Sequence, residues 1–233
     1  MPICLYCRHS DRSFTSVEHI FLESLGNQSL TLPRGVVCDA CNNGVLSRLD
    51  RVLIEFEPIA FMRVVNRVPA KSRKLPSVHF GGLNIEADTA DHATLRVLDK
   101  GHIEERPDGL SVSFKGTKGV DANYCKHLAR SMFKVTLGLI HLDHGDVVSL
   151  SARFDPIRRI ILGQADFKGF ILIREQFEPN RQVSLKYDFI EIASHPGTWI
   201  WFNIFGVQMF TEMEIREFPP SGLMPEKWTA FSF

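Results

Sequence analysis

The chain has 233 residues, 44% of them hydrophobic and 23% charged, with 27 Lys or Arg against 27 Asp or Glu. That composition is ordinary for a globular protein and excludes a disordered, collagen-like or membrane-embedded chain, since no run approaches the roughly 18 apolar residues of a spanning helix. A formal net charge of zero argues against a generally basic, nucleic-acid-coating protein, and a cysteine at position 4, where a signal peptide would carry its charged and apolar regions, makes the expected location cytoplasmic.

Four of the five cysteines form two pairs, Cys4-x2-Cys7 and Cys38-x2-Cys41, with thirty residues between them. Two turns that each offer a pair of thiolates can close a tetrahedral zinc site, which suits a small N-terminal unit with little core of its own. A disulfide framework fits poorly in a reducing compartment, and a redox Cys-x2-Cys would not occur twice. His9 could replace a thiolate, but four cysteines already complete the site; Cys125 lies in an expected helix and reads as a buried small apolar residue.

The thirty-residue insert is longer than a plain zinc ribbon carries. Phe14 to Phe21 reads as a short strand, Ser24 to Ser29 as a turn region, and Leu30 to Val37 as returning extended chain. Beyond Cys41 the apolar positions Val45, Leu46, Leu49, Val52, Leu53, Phe56, Ile59, Met62 and Val65 recur at helical spacing, with Pro58 expected to kink or divide the helix. Residues 1–75 hold 10 basic and 7 acidic residues, and Arg67, Lys71, Arg73 and Lys74 cluster at and just before a prolyl stretch that reads as a linker over 69–76.

From residue 77 the pattern turns extended. Val78 to Ile85 and Thr94 to Val97 read as strands, as do His102 to Glu105 and Leu110 to Phe114, separated by turns at Asp99 to Gly101 and Pro107 to Gly109. One clear helix follows, capped near Asp121 and running through Leu128, Met132, Val135, Leu139 and Leu142, with Lys126, Arg130 and Lys134 along another face. A short helix is expected from Asp155 and Pro156 through Ile161, then strands over Phe170 to Ile173, Val183 to Ile192 and Thr198 to Phe210. The fold class is α+β: a zinc-braced strand-strand-helix unit over 1–68, and a domain over 77–233 with a largely antiparallel sheet. His127, His141 and His144 read as helix-end groups rather than a metal site, and Trp199, Trp201, Phe202 and Phe205 as strand packing rather than a base-stacking platform.

Residues 3–68 resemble the HNH endonucleases of the ββα-metal type, the subgroup with zinc knuckles. The likeness is carried by Ser16-Val17-Glu18-His19-Ile20, by Ser24-Leu25-Gly26, by Val37-Cys38-Asp39-Ala40-Cys41-Asn42-Asn43, and by Asp50. It implies phosphodiester hydrolysis with His19 as general base and with Glu18 and Asn42 holding a catalytic divalent cation, Asn43 being the alternative. The residue chemistry agrees. An imidazole titrates near neutral pH and can take a proton from water, while a carboxylate and an amide oxygen are hard ligands that suit Mg2+ or Mn2+. Three positions depart from the pattern: the middle asparagine that braces the histidine loop falls near Pro33, Leu22 stands where proline is general, and Asn27 where a second glycine is frequent.

The expected substrate is DNA, in a setting of bacterial defence, with phosphate contacts from Arg8, Arg12, Arg34, Arg67, Lys71, Arg73 and Lys74. Asp39 and Asp50 are expected to cap the helix or support the site rather than bind metal. Residues 77–233 are expected to select substrate, form a homo-oligomer or receive an activating partner. The alternative from another class is a nonenzymatic zinc-stabilised module that binds nucleic acid or protein, for which the cysteines matter and Glu18, His19 and Asn42 do not.

Overall fold

The computed structural model describes residues 1–70, 72–80, 83–87, 93–97, 103–107, 109–112, 121–175, 185–190, 197–213 and 228–233. At the N-terminus β1 (Glu18–His19) pairs antiparallel with β2 (Thr31–Leu32), Glu18 opposite Leu32 and His19 opposite Thr31. The expected strand over 14–21 shrinks to two paired residues because the backbone on either side bonds elsewhere: the Thr15 and Ser16 amides donate to the Asp39 carboxylate, and a 3-10 turn at Glu23–Leu25 closes on left-handed Gly26.

The helix starts earlier than expected. α1 (Asp39–Cys41) passes through a π-helical stretch, Asn42–Leu46, into α2 (Ser47–Glu55). The wide turn falls where Asn42, Asn43 and Gly44, all weak helix formers, give the i→i+4 ladder least support. Phe56 leaves the helical region with ψ 115, and α3 (Glu57–Val65) begins with Pro58 in its first turn, so the proline divides the helix as expected.

β3 (Ser77–Phe80), β4 (Leu83–Ala87) and β5 (Ala93–Val97) form an antiparallel sheet, and β6 (Ile103–Arg106) pairs with β7 (Gly109–Val112). The single strand expected over 78–85 is therefore two, with Phe80 opposite Leu83. Val64 of α3 packs against Val78 and Ile85 in a small cluster of its own. The expected turn at 99–101, and His102, Asp108, Ser113 and Phe114, lie outside the described residues.

α4 (Ala122–Ser149) is capped as expected, Asp121 Oδ1 accepting the Tyr124 amide at 2.7 Å, and is interrupted by left-handed Gly145. α5 (Asp155–Ile161) follows, with Pro156 in its first turn. β8 (Phe170–Glu175), β9 (Leu185–Ile190), β10 (Trp199–Ile204), β11 (Val207–Glu212) and β12 (Thr229–Ser232) make an antiparallel sheet in the order β12-β8-β11-β10-β9. The run of strand formers over 198–210 resolves into a hairpin that turns at Phe205 and Gly206, both at positive φ, with Asn203 Oδ1 accepting the Gly206 amide at 2.8 Å. Trp199, Phe202 and Phe205 are buried, in agreement with strand packing.

One hydrophobic cluster runs from the zinc-knuckle segment through α4 and α5 into this sheet: Tyr6, Ile20, Phe21, Leu46 and Leu53 share it with Leu128, Met132, Val135, Leu139, Ile157, Ile171 and Phe202. Phe21 meets Phe202 edge-on, ring centres 5.6 Å apart. α4 can lie this close because Gly138 has no side chain; a Cβ there would stand 3.1 Å from Ile20 Cγ1 and 3.5 Å from Tyr6 Oη. Among the described residues no helix is long and apolar enough to cross a membrane.

Candidate metal centre and active site

The two Cys-x2-Cys turns meet as their spacing requires. The ligand atoms of Cys4, Cys7, Cys38 and Cys41 lie within 4.8 Å of one another, and Cys7 Sγ is 3.7 Å from Cys38 Sγ. Zn–S bonds of about 2.3 Å in a tetrahedron put sulfurs about 3.8 Å apart, so the cluster fits zinc in ligand type and in size. The first knuckle closes through Arg8 N–H to Cys4 O and Cys4 N–H to His9 O, both 3.0 Å, with Arg8 left-handed. The second is the first turn of α1, where Cys38 O accepts from Cys41 and Asn42, and Leu5 N–H to Val36 O at 2.9 Å ties the knuckles together. A hydrogen bond from Cys41 lowers the Cys4 thiol to about 4, whereas burial first, then the Cys4 charge, raises Cys7 to about 11. Four thiolates so close ionise together only around a cation. Cys125 is buried away from them, as expected.

The polypeptide entering β1 is tied to the helix that carries the second knuckle. Asp39 accepts from Ser13 Oγ at 2.6 Å, from Ser16 Oγ at 2.5 Å, from Thr15 Oγ1 at 2.8 Å and from the Thr15 and Ser16 amides. These bonds, Ser13 foremost, hold its carboxyl well below the ordinary Asp range. Asn42 Nδ2 donates to Ser16 Oγ at 3.0 Å and to Val17 O at 3.1 Å. On the far side buried Asn27 donates to Phe21 O and Leu30 O and accepts from the Ser29 and Leu30 amides. With Pro33 near the position of the bracing asparagine, the support comes, as expected, from elsewhere: Asn27, Asp39 and Asn42.

Strand alternation turns Glu18 inward and His19 outward: Glu18 is 2% exposed and His19 half-buried. Glu18 Oε1 lies 2.5 Å from Lys134 Nζ, and Asp50 Oδ1 lies 2.8 Å from the same nitrogen. Lys134 Nζ also donates to His19 O at 2.8 Å and Ile20 O at 3.4 Å. Tyr6 Oη donates to Lys134 O at 3.0 Å, and Ser131 Oγ to Leu49 O at 2.7 Å, so α4 is stitched to the first knuckle and to α2. Burial pushes the Glu18 carboxyl up despite Lys134. For Lys134 burial works against the ammonium, but Asp50, then Glu18, overcome it and raise its pKa.

Here the structure departs from the sequence reading. Glu18 and Asn42 do not form an open pair of ligands for one divalent ion: the Glu18 carboxylate is buried on an ammonium, and Asn42, whose amide nitrogen donates to the Ser16 hydroxyl and the Val17 carbonyl, has its oxygen alone to offer. An ion at Glu18 would share it with a lysine a few ångströms away, so this donor set does not fit the ion as arranged. The second face of α4 expected to carry Lys126, Arg130 and Lys134 divides. Lys126 reaches Asp166 at 2.7 Å, Arg130 caps α5 through Ile160 O and Ile161 O at 2.9 Å, and Lys134 is fully buried. The role of Lys134 escapes a reading of the sequence because its partners lie 84 to 116 positions away. One signal points to it: it is the sole formal charge in the stretch 131–142.

Of the expected phosphate contacts, Arg12, Arg34, Arg73 and Lys74 are exposed, Arg67 is half-buried and Lys71 lies outside the described residues. Arg8 is exposed but donates to Leu150 O, and buried Arg158 donates to Leu5 O at 2.7 Å, so the rear elements grip the first knuckle. His127 Nδ1 meets Arg130 at 3.3 Å, His141 meets Ser149 Oγ at 3.0 Å and His144 lies against Phe189, so each of the three has its own neighbour. No curated protein and no solved structure matches the chain. The zinc-knuckle segment does have a match: residues 4–55 fit the family model described as HNH endonuclease.

Proposed function

We propose that this protein is a metal-dependent endonuclease that hydrolyses phosphodiester bonds in DNA, with His19 activating the attacking water. The observation that carries this reading is the placement of His19 within the family-matched segment, half-buried at the outer side of a two-residue strand whose carbonyl, flanks and partner helix are all held. A base must present one imidazole at fixed position to one phosphate, and this scaffold is built for that. Mg2+ or Mn2+ would neutralise charge on the phosphate and the leaving oxygen. Asn42, whose amide oxygen is left by its two donated bonds, and exposed Asn43 are the hard donors on this side; Glu18 is assigned to Lys134 instead.

Arg12, Arg34, Arg73 and Lys74 would meet the DNA backbone, which makes binding salt-dependent. The setting we propose is the cytoplasm, where reduced thiols keep the zinc, and defence against foreign DNA. Residues 77–233 would select substrate, pair two copies or receive an activator. A second reading, a zinc-stabilised binding module without turnover, draws on the burial of Glu18.

Incubating the zinc-loaded protein with supercoiled plasmid and with single-stranded DNA in Mg2+ or Mn2+ tests the proposal. Metal-dependent nicking that disappears in His19→Ala at unchanged zinc content is the expected result. DNA binding without nicking, indifferent to His19, would replace the nuclease with the binding module.

A further inference from the structure

Glu18 is where the likeness to the family and the packing of this chain part company. The Lys134 ammonium sits among four oxygens, Glu18 Oε1, Asp50 Oδ1, His19 O and Ile20 O, at 2.5, 2.8, 2.8 and 3.4 Å. It has three protons to give and more acceptors than protons, so it is saturated. It is fully buried on a helix outside the family-matched segment, and that helix is fastened by Tyr6 Oη to Lys134 O and by the close approach of Ile20 to Gly138. Nothing about it resembles a surface lysine resting on a carboxylate. A divalent ion on Glu18 would stand within a few ångströms of this ammonium in a buried site, where like charges repel strongly.

We propose that in this protein the cation of Glu18 is Lys134: the ammonium supplied by α4 keeps the carboxylate out of the catalytic metal's coordination and fixes the strand that carries His19. Lys134 is a positioning residue. It touches no substrate; it holds the backbone carbonyl of the base and that of the next residue, and through Asp50 it ties β1 to α2. The rear segment is then part of the active-site scaffold. The inference rests on the nuclease reading for the role of His19, but not for the charge arrangement itself.

Three full-length, zinc-loaded variants test it: Glu18→Gln, Lys134→Met and the double variant. Free Mn2+ followed by electron paramagnetic resonance gives metal affinity. Glu18→Gln is expected to bind Mn2+ within about twofold of wild type, and a tenfold or larger loss overturns the proposal. Melting temperature and the His19 ring 1H–13C resonance give the second readout. Lys134→Met is expected to lower the melting temperature and displace the His19 resonance, and adding Glu18→Gln to it to restore part of the melting temperature. Losses that simply add, with the His19 resonance unmoved, overturn the proposal. A Lys134→Met chain that does not fold beside a double variant that does is the same coupling at full strength. If neither folds, the Glu18→Gln protein decides through its Mn2+ affinity and a His19 resonance displaced by a weakened Lys134 cluster. Failure of the nuclease reading looks different: wild type that neither binds Mn2+ nor nicks DNA, with the residue 18–134 coupling intact.

Discussion

The four-cysteine site and the Glu18–Asp50–Lys134 cluster hold the same short polypeptide from its two sides, and they handle buried charge in opposite ways. The first gathers thiols that can all ionise only around an external cation, so its strength depends on metal supply and thiol chemistry. The second brings its own cation on a helix, so it forms with the fold and answers to pH rather than to chelators. Between them β1 and its entry are pinned at Asp39, Asn42 and Lys134. The lesson is that a two-residue strand can serve as a rigid platform when its neighbours, not its own ladder, supply the bonds.

Breaking the zinc side should have the larger effect. Cys38→Ser, or prolonged chelation, is expected to remove most of the roughly 10 kcal/mol that a structural zinc supplies and to unfold the knuckles, and since they share the core with α4 the far-ultraviolet dichroism should fall well beyond what residues 4–55 contribute. His19→Ala should leave fold and zinc in place and cost about 10²- to 10⁴-fold in cleavage rate, read on plasmid nicking.

Breaking the lysine side comes next for stability. Lys134→Met leaves two buried carboxylates facing each other, worth about 3–5 kcal/mol, measured by denaturant unfolding. The penalty should grow with pH. Lys134 pulls the Glu18 carboxyl down against its burial, so its removal raises that carboxyl further, and a group whose folded pKa is raised contributes stability that is complete below its unfolded value and lost as pH rises through the folded one. The variant is therefore expected to be closest to wild type near pH 4 and furthest from it above neutrality.

Asp39→Asn sharpens the comparison from the other flank. Its carboxyl is depressed by Ser13, Ser16 and Thr15, so its contribution is present above the ordinary Asp range and fades as pH falls through the depressed value. The variant should show faster amide exchange at Thr15 and Ser16 at neutral pH, and the difference should vanish in strong acid. The smallest expected effect is at the surface. Arg73→Ala or Lys74→Ala should weaken DNA binding evenly across sequences and reduce the slope of log affinity against log salt by about one for each phosphate no longer neutralised.

Local chemistry made much of this protein legible from its sequence alone. The paired Cys-x2-Cys turns determined the metal cluster, because each knuckle is a turn of four residues and needs only its mate. Pro58 determined where the helix divides, Asp121 where α4 begins, and the Glu18-His19 dipeptide that its two side chains take opposite faces, because caps, prolines and strand alternation act within a few residues. The tertiary structure decided what Glu18 is for. A buried carboxylate takes the cation that packing brings to it, and the one brought here belongs to Lys134, whose place against β1 depends on Gly138, Tyr6 and a core shared across more than a hundred residues. No spacing rule reaches that far, since burial of a charge is settled by the sum of distant packing and not by its neighbours in the chain.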